Sequence, residues 1–156
     1  MPSPRPFYSL TEENVEEIET VLDELIETAP IGCALVIDQT GYIMARRGAS
    51  DNAPLEELAA IAAGCFTAFT MISTSNEMDV NFRAKGVDNI YFFRVNPQTI
   101  LLALHNNGAG GETIRTKGLV SAGRLRNVLR KAGAESVELG ATRFITEKLD
   151  EMFKNV

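Results

Sequence analysis

A chain of 156 residues has room for one ordinary domain. Its 45% apolar and 23% charged residues are those of a folded globular protein, which excludes wholesale disorder and a fibrous or low-complexity chain. A formal net charge of −6 opposes general affinity for nucleic acid or anionic membranes. Two cysteines, Cys33 and Cys65, make no disulfide framework, and the start Met1-Pro2-Ser3-Pro4-Arg5-Pro6 carries no apolar signal core, so a cytoplasmic location is expected. The uncharged run Leu58–Asn76 approaches membrane-spanning length. Its Gly64, Thr67, Thr70, Ser73, Thr74, Ser75 and Asn76 favour a buried helix of a soluble protein over membrane insertion.

Residues 1–8, with three prolines and no periodicity, are expected to form a flexible arm. Ser9 and Glu12 have capping-box spacing, and Val15, Ile18, Val21, Leu22, Leu25 and Ile26 recur at three and four, predicting a first helix that ends near Thr28 before Pro30. Cys33–Asp38 and Tyr42–Arg46 are β-rich runs about the turn Gln39-Thr40-Gly41, hence a hairpin. After a polar loop over Arg47–Ala53, Pro54 with Glu56 and Glu57 opens a second helix that runs to about Ile72. Asp79–Ala84, Ile90–Val95 and Thr99–His105 form a three-stranded meander. The loop Asn106–Glu112 leads into a third helix over Arg115–Lys131, with Gly133 as its stop, and Thr142–Lys154 is a last amphipathic segment. The order α-β-β-α-β-β-β-α with short strand connections predicts an α+β fold, a five-stranded antiparallel sheet covered by helices. Three regions follow: the arm 1–8, a domain over 9–132 and an extension over 133–156 ending in a C-terminal helix.

Little in the chain resembles a self-contained active site. The first helix is rich in acids and has no base, whereas 115–131 holds Arg115, Lys117, Arg124, Arg126, Arg130 and Lys131 and no acid. Mutual packing of these two helices explains both better than a phosphate or nucleic-acid patch, since no aromatic residue interleaves the bases. The acidic row reads as a solvated face and not as paired acid–base carboxylates. Gly108-Ala109-Gly110-Gly111 fails as a phosphate loop, because the order Thr116-Lys117-Gly118 reverses the lysine placement such a loop needs. His105 is the only histidine, so it builds neither a histidine triad nor a multi-histidine metal site, and Cys33 and Cys65 read as inert core thiols.

The second helix carries the main signal. On a helical projection Leu55, Leu58, Ala59, Ala62, Cys65, Phe66, Phe69 and Ile72 share one broad face that can cover the sheet. Ala60, Ala63, Gly64, Thr67, Ala68 and Met71 fall opposite, where a surface helix would carry Lys, Glu or Gln. Ala60, Gly64 and Ala68 recur every four residues and permit close approach of another backbone, so this face is expected to be a subunit or partner interface.

The run Ala34-Leu35-Val36-Ile37-Asp38, with Gly41 and Ile43 after it, leads through a loop into the alanine-rich second helix. With Ile114-Arg115-Thr116-Lys117-Gly118 entering the third, it resembles the roadblock family of dynein light chains and bacterial GTPase regulators. The similarity covers about Val15–Lys131, and the segment after Gly133 resembles the C-terminal extension of the MglB branch, which acts in gliding motility and cell polarity. The resemblance implies a profilin-like fold and a homodimer in which the second helix and the third strand meet their symmetry mates. It further implies a platform for a small Ras-like GTPase of MglA type, whose hydrolysis the protein would accelerate with no catalytic residue, cofactor or metal of its own. By position, Ala60, Ala63, Gly64 and Thr67 would meet the GTPase, and Ala68, Met71, Val80 and Phe82 would lie at the dimer seam. Ile145, Leu149, Met152 and Phe153 would make the C-terminal helix contacts. Arg46-Arg47, at the end of the first hairpin, is the one candidate for an inserted arginine, and it is read as a solvated strand end. The alternative function is a scaffold or adaptor of dynein-light-chain type. A small-molecule sensor is weaker, for want of convergent polar groups.

Overall fold

The computed structural model describes residues 9–49, 54–75, 78–84, 87–105 and 110–154. Its elements are α1 (Glu12–Thr28), β1 (Cys33–Asp38), β2 (Ile43–Gly48), α2 (Leu55–Ile72), β3 (Asp79–Ala84), β4 (Val87–Asn96), β5 (Thr99–His105) and α3 (Gly111–Lys154). The arm 1–8 and the Gly108-Ala109 half of the glycine loop lie outside the described residues, as do the side chains of Ile145 and Phe153.

All strand pairs are antiparallel, in the order β2-β1-β5-β4-β3. Every residue of β1 and of β5 is buried, because helices cover both faces of the sheet and each face receives alternate side chains. Ala34, Val36, Leu101, Ala103, Tyr91 and Phe93 join Ile18, Leu22 and Leu25 of α1 and Ile114, Leu125 and Leu129 of α3 in one core. Cys33, Leu35, Ile37, Ile90, Phe92, Ile100, Leu102 and Leu104 point the other way and meet Ala59, Ala62 and Phe66 of α2. Each fully buried Leu, Ile or Phe contributes about 1.5–3 kcal/mol through burial, so these two clusters dominate the folding free energy.

Two expectations about helix ends need correction. The N-cap of α1 is Thr11, not Ser9: its hydroxyl accepts from the Asn14 amide at 3.1 Å and the Asn14 side chain accepts from the Thr11 amide at 3.0 Å. An Asn at the third helical position thus does the work of the usual Glu or Gln, two residues later than the Ser9/Glu12 spacing suggested. Gly133 does not stop a helix, since α3 continues through it as a single helix of 44 residues, about 66 Å long, including the expected C-terminal segment. A glycine ends a helix by turning left-handed, and among the described residues the glycines with positive φ are Gly41, Gly48 and Gly110. With the helix formers Lys131, Ala132, Ala134 and Glu135 around it and no proline following, Gly133 only weakens the helix locally.

The α3 glycines differ in kind. A Cβ on Gly118 would collide with the Phe93 ring, so this glycine lets α3 approach β4, whereas a Cβ on Gly133 meets nothing within 4 Å. Gly118→Ala is therefore expected to destabilise by about 1–3 kcal/mol through overpacking. Gly133→Ala is expected to stabilise by up to about 1 kcal/mol. Urea denaturation of the two variants checks the opposite signs.

Candidate protein-interaction site

Glu56 and Glu57 in its first turn favour α2 at the positive end of its dipole, and no further charge occurs up to Ile72. The helix is long and apolar enough to cross a membrane by length and composition, yet it lies against the sheet. Its buried stripe is Ala59, Ala62, Ala63 and Phe66, which is the i, i+3, i+4, i+7 set of one helix face. Leu55 and Leu58 pack at its margin, and Phe69 meets Phe92 edge to face with centroids 6.3 Å apart.

This corrects the expected faces at two places. Ala63 belongs to the stripe against the sheet and is buried, because it stands four residues after Ala59 and three before Phe66. Ile72, expected against the sheet, is 83% exposed, since at 100° per residue it lies about 130° from the centre of that stripe. Ala60, Gly64, Thr67, Ala68 and Met71 are exposed as expected. Ile61 (65% exposed) and Met71 (86%) complete a face that carries no charge beyond Glu56 and Glu57 in the first turn. The helix reading that left Ile61 unplaced missed it because one isoleucine among alanines carries little periodic signal.

On the α2 side of the sheet Val80 and Phe82 stand on β3, an edge strand that pairs with β4 alone among the described residues. Val80 is half-buried against the α2 core, and Phe82 is 49% exposed. At the other end of α2, Gly41 turns the β1–β2 hairpin with φ of 87°, where a Cβ would come within 3.2 Å of the Ala60 Cα, so the hairpin turn abuts the first half of the helix.

The two hairpin arginines part company. Arg47, cross-strand partner of Ala34, points to the α1 side, where its guanidinium pairs with Glu19 and reaches Asp23 at 3.3 Å. Arg46 is the cross-strand partner of Leu35, whose side chain faces α2, so Arg46 lies on the α2 side of the sheet and is exposed. The reading of the pair as a solvated strand end thus fits Arg46, whereas Arg47 is held by α1. Arg46 is five residues along the chain from Gly41, the turn residue that meets Ala60, roughly 16 Å away.

Other candidates are structural. Burial pushes the Cys33 thiol up, which suits an inert core thiol. The His105 Nδ1 donates to the Pro30 carbonyl oxygen and ties the end of β5 to the α1–β1 connection. Among the described residues no group of three His, Cys, Asp or Glu could hold a metal. The acidic α1 and basic α3 do pack together: Arg124 pairs with Glu24 and holds its carboxyl below the usual range, at a fully solvated site. The groove between these helices, lined by Glu17, Thr20, Val21, Arg124, Asn127 and Val128, is open and shallow.

Sequence reasoning passed over Arg94. It is the one charge in the apolar run Ile90–Val95, and that isolation was the available signal. Its side chain is buried on the α2 side, donates to the Ser73 carbonyl at 2.9 Å and the Ser75 carbonyl at 3.4 Å, and lies 5.5 Å from the centroid of the Phe66 ring.

At the level of sequence, no family model matches the chain, and neither does any curated protein. The fold does have solved counterparts. The gliding protein MglB of Thermus thermophilus superposes with a TM-score of 0.73 at 19% identity, over 82% of this chain and 99% of that one. Myxococcus xanthus MglB gives 0.68 at 20% identity over 80% and 96%, and a roadblock domain from Streptomyces avermitilis 0.59 at 14% over 71% and 96%. In element order, sheet and helix placement, this chain has the roadblock fold in the form seen in MglB.

Proposed function

We propose that the protein is a homodimeric regulator of a small Ras-like GTPase of the MglA kind, which it activates through a platform made by paired α2 helices and without an arginine finger. The observation that carries this reading is the exposed face of α2, uncharged beyond its first turn, on the same side of the sheet as an unpaired edge strand bearing Phe82. Large exposed apolar surfaces mark interaction sites, and free strand edges are normally paired or protected. The resemblance to roadblock regulators supports assigning Ala60, Gly64 and Thr67 to the GTPase and Ala68, Met71, Val80 and Phe82 to the dimer seam. Ala63, being buried, would support the helix from beneath. Activation would arise from binding energy that selects a competent GTPase conformation, so the regulator supplies contact area and no reacting group. A scaffold or adaptor that binds without changing turnover is the alternative, and measured hydrolysis separates the two. A cytoplasmic location goes with either.

The dimer is tested by light scattering, which should give twice the 17.0 kDa chain mass. Ala68→Arg, on the exposed face, should lower that mass, and a monomeric wild type at micromolar concentration would refute the dimer.

A Cβ on Gly64 meets nothing within 4 Å, so Gly64→Arg leaves the monomer intact while filling the close-approach face. It should abolish both GTPase binding and stimulation. Arg46→Ala combined with Arg47→Ala should retain most of the stimulated rate at saturation, since Arg47 is engaged by α1 and Arg46, though on the α2 side, stands five residues along the chain from the turn that meets the helix. An arginine finger would instead cost about 10³-fold or more in that rate with binding unchanged.

The end of α3 exposes Leu149 and Met152, an apolar stripe too narrow to be stable by itself in water. Removal of residues 139–156 should leave the dimer intact and change GTPase affinity or nucleotide exchange, measured by fluorescent-nucleotide release. Aggregation of the truncated protein would make this helix part of the core.

A further inference from the structure

We infer that Arg94 is the positioning residue that locks β3 to the end of α2, and so fixes the composite surface through which two copies pair. This inference rests on the dimer reading above.

Arg94 grips the connection between the two elements at both ends. Its guanidinium bonds the carbonyls of Ser73, the C-cap of α2, and of Ser75, while its backbone amide donates to the Met78 carbonyl at 3.0 Å, just before β3 begins. Its own carbonyl accepts from Arg126 Nη2 at 3.4 Å, and Arg126 Nε donates to the Val95 carbonyl at 2.6 Å, so α3 fixes this stretch of β4 from the opposite face. The stretch it grips, Ser73-Thr74-Ser75, consists of small polar residues with many accessible conformations. Ordering it sets where Met71 and Ile72 stand relative to Val80 and Phe82.

The arrangement suits positioning better than bulk stability. Arg94 is 5% exposed, and no carboxylate pairs with it among the described ion pairs, so a full charge has been desolvated for two carbonyls and a ring face. Its Nε–H has no partner among the described residues, which lowers its net contribution to folding. A planar fork is required, because a lysine reaches one carbonyl at a time and does not lie flat over Phe66.

The test is the dimer dissociation constant by sedimentation, taken where each variant is folded by circular dichroism. Arg94→Met should fold and raise the Kd by about tenfold or more, and Arg94→Lys should fall between it and wild type. Leu22→Ala, in the core on the α1 side, lowers stability more but should keep the wild-type Kd. Hydrogen exchange should quicken in β3 of Arg94→Met and stay unchanged in β1. A dimeric wild type whose Arg94→Met variant keeps the same Kd overturns this inference alone, as does an equal rise in Leu22→Ala, which would mean general softening. Failure of Arg94→Met to fold would make Arg94 a core residue and overturn it too. A monomeric wild type removes the dimer reading and this inference with it.

Discussion

The structure depends on the demand that β1 and β5 be dry on both faces. Thirteen consecutive-strand positions, six in β1 and seven in β5, are all buried, so neither face of the central sheet can be left to water. Unlike the strands of an ordinary antiparallel sheet with one wet face, these central strands read as nearly continuous apolar runs. Helices must lie on both sides, and the described residues supply three of them for two faces.

That odd number sets the asymmetry of the molecule. On one side α1 and α3 pack together, and their opposite charges meet at Glu24 and Arg124, where solvent leaves the pair worth little beyond orientation. Over 12–131 their outward faces are mostly polar. On the other side α2 is the one helix among the described residues. It buries a narrow stripe built from three alanines and a phenylalanine and turns its remaining apolar surface outward. Small side chains lower the desolvation and entropy costs of contact and permit close backbone approach, so the same composition that lets α2 sit tightly on the sheet also suits it to receive a partner.

Arginines join these layers where the core cannot. Arg126 from α3 and the side chain of Arg94 act on opposite sides of one stretch of β4, and each satisfies backbone carbonyls at the sheet margin. Arg47 likewise binds the edge strand β2 to α1. In each case a long side chain spans a distance that apolar packing leaves open, and its multiple donors fix direction as well as separation.

The sequence by itself determined the element order, the antiparallel sheet and the pairing of an acidic with a basic helix, because hydrophobic period, turn residues and charge are local patterns. It also marked α2 as two-faced. It did not determine that α3 runs unbroken past Gly133, since glycine both stops and interrupts helices and only its φ tells which. Nor did it place Ala63, Ile72 and Arg46 on their faces. A projection of 18 residues leaves the centre of the buried stripe uncertain by a residue or two, and the direction of Arg46 follows from cross-strand register with Leu35. Only the tertiary structure decided these, and it alone gave Arg94 a role, because the carbonyls it holds lie about twenty residues away in sequence and become neighbours only when α2 has docked on the sheet.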